Sequence, residues 1–239
     1  MGTPPEVFVF VIVFGSALTQ GLSGFGFGLV AVPLLQLVLS IRSTLSLVTL
    51  ISSVVTATLF WSYRQQFQLA PIVRLTLASL CTIPLGVFTA QFLAEDLLRT
   101  GLALVLISYS SYALLQPQLP PLLHPSWAYL FGSLSGLLTG ASNVGGPPVV
   151  IYAQCQRWDP TTFKSNLQAF FLLTTGSILL SRWAQGSYTP EIWRLFFLCL
   201  PAVGLGIGTG LYCSQFLDPH RFRQLVLIFL LGLGLLLLT

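Results

Sequence analysis

The stretch "GLSGFGFGLVAVP", residues 21–33, places four glycines and a proline inside one of the most apolar parts of the chain. Glycine and proline are the poorest helix formers, so their concentration marks a break in an otherwise membrane-grade sequence. The whole chain has that character: 54% of residues are hydrophobic and 7% charged, where soluble domains carry about a quarter charged residues. Ten basic and six acidic side chains in 239 residues leave no room for a soluble domain. The apolar runs 102–115, 195–211 and 225–238 lack the polar alternation of barrel strands. The fold class is therefore an all-α integral membrane protein. Glu6 is the only charge ahead of the first apolar run, so the basic region of a cleavable signal is missing and that run is read as part of the mature protein.

A duplication organises the chain. "AQFLAEDLLRTGLALVLI" from Ala90 and "SQFLDPHRFRQLVLIFLL" from Ser214 share Gln-Phe-Leu and an Arg eight residues after the Gln. Phe14-Gly15-Ser16 recurs at Phe131, Arg42-Ser43 faces Lys164-Ser165, Trp61 faces Trp183 and Pro84 faces Pro201. The proline-rich "QPQLPPLLHPS", 116–126, reads as the loop between the halves. The expected division is a first transmembrane repeat at 1–116, a linker at 117–126 and a second repeat at 127–239.

Each half reads as five helical elements, at 6–20, 27–40, 44–62, 69–92 and 97–115, then at 126–140, 147–156, 160–181, 190–214 and 221–239. The first two of each half are short. They form either a hairpin of two half-membrane helices or one long unwound span. The hairpin is favoured, because 34 residues are too many for one span, and it makes the repeats inverted rather than parallel. Loop Lys and Arg divide six to four between the two sides, which orients the protein only weakly, with both termini outside.

The second half repeats the break as "GLLTGASNVGGPPVV", 136–150. Unwound backbone inside a membrane is tolerated where protein or a water-filled cavity satisfies it. A helix starting near Gly28 or Pro147 would point free N–H groups and its positive dipole end into such a cavity, a ready anion site. The candidate substrate-binding residues are Ser23, Gly24, Gly26, Gly28, Ser142, Asn143, Gly145 and Gly146, joined by Arg42, Lys164 and Gln168. Arg42 and Lys164 each open the third element of a half, where snorkelling to headgroups competes with facing an anion. Gln168 lies one turn beyond Lys164; Asn166 and Thr56 are weaker candidates. Gly132, Gly136 and Gly140, like Gly206 and Gly210, have the four-residue spacing of helix packing. The latter pair offers a face on which a second copy could pack as a homodimer.

Several classes are excluded by what is missing. Asp and Glu occur only at expected helix ends, so there is no buried acid for a proton relay or an acidic ring. "GFGFG" is not a dinucleotide fingerprint, and no enzyme motif, metal-ligand cluster or cofactor signature is present. The basic residues are scattered, which argues against nucleic acid as a partner. Cys81, Cys155, Cys199 and Cys213 sit singly in apolar runs as small hydrophobes, and His124 and His220 fall in loops or at a helix end. The five tryptophans fall at expected helix ends as interface anchors. A small-anion channel and a membrane scaffold without transport remain as alternatives to a transporter.

The duplicated break, "GLSGFGFGLVAVP" with "GLLTGASNVGGPPVV", resembles the TauE/SafE family of sulfite and organosulfonate exporters along the whole chain. Gly145, Gly146 and Pro147 stand where that family's glycine pair and proline are expected, whereas Phe25 and Phe27 interrupt the glycine run of the first motif. The resemblance implies a multi-pass secondary transporter of the cytoplasmic (inner) membrane, with membrane lipid around it. Its substrate would be a small sulfur-containing anion such as sulfite, sulfoacetate or taurine.

Overall fold

The computed structural model describes residues 4–115, 120–122, 124–216 and 218–238. Residues 117–119 and 123 of the expected linker, residue 116 just before it and the side chain of His220 lie outside that description. The described residues form ten α-helices: α1 (Pro4–Ser23), α2 (Phe27–Leu35), α3 (Ile41–Tyr63), α4 (Leu69–Phe92), α5 (Glu95–Leu115), α6 (Ser126–Ser142), α7 (Gly146–Cys155), α8 (Pro160–Ala184), α9 (Pro190–Cys213) and α10 (Pro219–Leu238). No strand occurs among them.

Local chemistry sets the ends. Ser40 caps α3 by accepting from the Ser43 N–H at 3.3 Å, and Thr189 caps α9 through the Ile192 N–H at 3.4 Å. Asp159 caps α8 ahead of Pro160 at the first position. The donors of Thr161 and Thr162 hold its carboxyl well below the usual carboxylate range. α2 begins after Gly26 at φ 104°, and α6 ends on Asn143 at φ 57°. Both are left-handed conformations, which glycine and asparagine adopt most readily.

The helices correct the expected lengths. α1 has 20 residues and α6 has 17, about 30 and 26 Å at about 1.5 Å per residue, so only the second member of each pair is short. α2 with 9 residues and α7 with 10 reach about 14 and 15 Å. α1 continues to Ser23 because Ser16, Thr19 and Ser23 return their hydroxyl protons to carbonyls one turn back, and because Gly21 lets it lie against Gly210 of α9 at close range.

α1 and α2 turn back on each other. Glu6 and Val9 of α1 line one surface cavity together with Val38 and Leu39, just beyond α2. Likewise Gln156, just after α7, donates from Nε2 to the Leu122 carbonyl at 2.7 Å, close to where α6 starts. Helices α1 and α9 run side by side in one direction, Gly206 against Phe14 and Gly210 against Leu18 and Gly21. Helices α4 and α6 do the same, Gly132 against Leu75, Gly136 against Ser79 and Gly140 against Ile83. By contrast α3 and α8 run in opposite directions: Lys164 lies at Tyr63, while Arg42 and Arg182 share a cavity at the other end. α5 and α10 are also opposed, with Gly234 at Ala103 and Arg223 in one cavity with Tyr109.

Gly206 and Gly210 are thus consumed inside the chain. A Cβ on either would strike the α1 backbone, so the face expected for a second copy is already covered by α1. The outward surface carries Phe8, Leu77, Phe88, Leu104, Phe197, Leu205 and Leu235, all more than half exposed. Six helices among the described residues, α1, α3, α4, α5, α9 and α10, are long and apolar enough to cross a membrane. The protein is a multi-pass, all-helical membrane protein.

Candidate functional site

The two breaks meet. Gly28 packs so closely on the Asn143 carbonyl that an added Cβ would collide with it. Beside this junction lies a cavity of about 60 Å³, lined by Gly26, Phe27, Gly28 and Leu29 from the first break and by Asn143, Val144, Gly145 and Gly146 from the second. Helices α3 and α8 close it with Thr49, Ser52, Thr56, Thr174 and Thr175, and no acidic, basic or histidine side chain lines the wall.

A chain of amides holds the first break. Gly24 and Gly26 take φ of 81° and 104°. The Gly24 carbonyl accepts from Gln168 Nε2 at 2.5 Å, Gln168 Oε1 accepts from Gln20 Nε2 at 3.3 Å, and Gln20 Oε1 accepts from the Phe27 N–H at 3.0 Å. Gln20 therefore caps α2 from seven residues upstream. The first hydrogen bond of α2 to its own cap residue is Val30 N–H to the Gly26 carbonyl at 3.1 Å. Between Phe27 and Val30, the N–H groups of Gly28 and Leu29 find no acceptor among the described residues. They stand at the wall of the cavity with the positive end of the α2 dipole.

The second break is held differently. Asn143 donates from Nδ2 to the Leu45 carbonyl at 2.7 Å and to Thr49 Oγ1 at 3.0 Å, tying the turn to α3. Ser135 Oγ donates to the Gly145 carbonyl at 2.7 Å. Pro147 and Pro148 carry no N–H, so Gly146 supplies the only N–H of the first three positions of α7. Two hydroxyls add to the donors: Ser52 Oγ and Thr175 Oγ1 line the cavity without a partner among the described residues. The site presents donors, a helix dipole and no fixed charge, which suits a small anion able to accept several hydrogen bonds.

Five expected residues lie on this wall: Gly26, Gly28, Asn143, Gly145 and Gly146. The other six stand off it. Ser23 Oγ lies 2.7 Å from the Thr19 carbonyl and 2.6 Å from that of Phe25, and Ser142 Oγ donates to Leu138 at 2.8 Å. Both hydroxyls serve their own turns. Gly24 and Gln168 form the support behind the break. Lys164 lays its stem over Gly24 and its ammonium 5.6 Å from the Tyr63 ring centre, a cation–π contact. Arg42 is exposed at one end of the bundle. Thr56 lines the cavity, while Asn166 Oδ1 instead accepts from the Gln68 N–H at 3.0 Å. Gln20, Ser52 and Thr175 were not legible as site residues. An amide four positions ahead of Gly24 in an apolar helix was the available signal for Gln20, whereas Ser52 and Thr175 are ordinary small polar residues within long helices.

A family profile described as sulfite exporter TauE/SafE matches residues 8–237. Among curated proteins the chain is similar to the "Probable sulfite/organosulfonate exporter TauE" of Cupriavidus necator. The two are 26% identical over 227 residues, which cover 90% of this chain and 86% of that protein. No solved structure matches the chain significantly.

Proposed function

Taking as premise that this chain belongs to the sulfite exporter TauE/SafE family, we propose that it is a secondary transporter that binds a small sulfur-containing anion in the cavity between the two breaks. The observation that carries this reading is the pair of unpartnered N–H groups, Gly28 and Leu29, at the positive end of α2 in a cavity without a charged wall. Sulfite and organosulfonates are the substrates in the name of the similar Cupriavidus necator protein. A cavity of about 60 Å³, room for a few waters, favours compact sulfite over sulfoacetate or taurine.

The protein works by alternating access between two inverted repeats, 1–116 and 127–239, in the inner (cytoplasmic) membrane. Three relations support the inversion. The α1–α9 and α4–α6 pairs exchange when the halves are exchanged, as do the α3–α9 and α4–α8 pairs. The corresponding helices α3 and α8 run in opposite directions, and so do α5 and α10. Each half contributes one hairpin that re-enters from its own end. Rocking one half on the other then opens the cavity to alternate sides. Ile83, Val87 and Ile178 form a buried apolar cluster apart from the main core, and Ile178 is also part of the cavity wall. This layer favours a gated carrier over an open anion channel.

The test is uptake into proteoliposomes of sulfite, sulfoacetate, taurine, sulfate and chloride at matched concentration. Saturable sulfite flux that Thr175→Val weakens without loss of folded protein is the expected result. Silence across the panel in folded protein would overturn the reading.

A further inference from the structure

A second cavity, of about 530 Å³, opens at the end of the bundle where α3 begins and α8 ends. Among its lining residues are Arg42 and Ser43 of α3, Val87 and Gln91 of α4, and Arg182 of α8. Arg42 and Gln91 are exposed at its rim, whereas Arg182 is 6% exposed. The Arg182 guanidinium donates from Nη2 to the Gly140 carbonyl at 3.3 Å, and its Nε has no partner. No carboxylate pairs with Arg182 or Arg42 among the described residues. A guanidinium stays charged, and a buried charge is costly unless an opposite charge or several acceptors meet it. Here protein supplies one carbonyl. The capped N-termini of α3 and α9, with their positive dipole ends, face the same space through Ser43 and Thr189.

The feature belongs to one half only. Arg42 faces Lys164 and Trp61 faces Trp183 at a common offset, so the position matching Arg182 is Phe60, which packs edge-on against Phe67. The cavity is also separated from the central one. Ile178, one turn before Arg182, lines the central cavity, Val87 lines this one, and the two side chains pack with Ile83 in a buried apolar layer.

We infer that Arg182, assisted by Arg42, forms a second anion-binding station, which takes a compact oxyanion from that end of the bundle alone and holds it one helical turn outside the central cavity. Two guanidinium groups without acidic partners match an oxyanion's paired oxygens. The station's part in delivering cargo to the central cavity rests on the transporter reading above, but its binding of anion does not.

Equilibrium binding of radiolabelled sulfate to the full-length chain purified in detergent tests it. Arg182→Gln is expected to weaken one class of sites at least tenfold. Arg182→Lys, which keeps the charge but not the fork, should fall between it and the native protein, and Arg42→Gln should weaken the same class about threefold. If Arg182→Gln does not fold, Arg182→Lys and the exposed Arg42→Gln decide the matter. Sulfate binding unchanged by the folded arginine variants would overturn the inference. A single class of sites removed by Arg182→Gln would sustain the station and fail the central-cavity reading. A single class that the arginine variants leave untouched would do the reverse.

Discussion

The two breaks occupy matching places in the halves and are built from opposite materials. At residues 24–26 the chain uses left-handed glycines, and an amide relay from Gln168 through Gln20 to Phe27 replaces the missing cap. At residues 143–146 it uses a left-handed asparagine tied to α3, followed by two prolines. The first arrangement leaves two N–H groups facing the cavity, and the second removes N–H groups from α7. The consequence is an uneven pair of helix starts: the first turn of α2 offers the cavity the N–H groups of Gly28 and Leu29, whereas the first turn of α7 offers that of Gly146 alone. Homologous position does not imply equal chemistry.

The same one-methyl change at two glycines should break this comparison most visibly. Gly28→Ala drives a Cβ into the Asn143 carbonyl, whereas Gly146→Ala meets only the Phe171 ring edge at 3.8 Å. Gly28→Ala is expected to cost about 1–3 kcal/mol, to lower the apparent Tm by roughly 2–12 °C and to abolish sulfite flux. Thermal unfolding followed in detergent, alongside uptake, checks both. Next in size, Gln168→Leu strands the Gly24 carbonyl and Gln20 Nε2. A buried group left unsatisfied costs about 1–3 kcal/mol, so the same two measurements should register a lower Tm and reduced flux, while Ser142→Ala, whose hydroxyl serves only its own turn, should register neither.

Thr175→Val removes a cavity donor with no protein partner, so stability should stay within about 0.5 kcal/mol. Its loss should appear as a sulfite KM raised about tenfold, since a hydrogen bond to a charged group contributes about 1.5–3 kcal/mol and each 1.4 kcal/mol is about tenfold. Smallest is Gly146→Ala, which leaves the fold intact and narrows the cavity. Competition assays should show sulfoacetate losing more than sulfite.

Much of this plan was legible in the sequence. Composition fixed the membrane class, glycine and proline located the breaks, and the recurrence of Arg42-Ser43 at Lys164-Ser165 ordered the helices. What escaped was set by long-range packing. The end of α1 looked broken at Gly21, but close contact with Gly210 turns that glycine into a packing site and carries the helix on to Ser23. Arg182, next to Trp183 at a helix end, carries no mark of burial in the sequence. Trp183 is indeed 72% exposed, but its neighbour points inward beneath α6 and bonds Gly140. Polar residues at a helix end give no sign in sequence of which way they face: Arg42 and Lys164, named among the candidate binding residues, stand off the central cavity.

The most direct measurement is anomalous diffraction from crystals of the protein soaked in selenite, the selenium counterpart of sulfite. The central-cavity site requires a selenium peak there, within hydrogen-bonding reach of the Gly28 or Leu29 N–H and of Thr175 Oγ1, whether or not a second peak stands at Arg182. Selenium bound elsewhere while that cavity remains empty would contradict it.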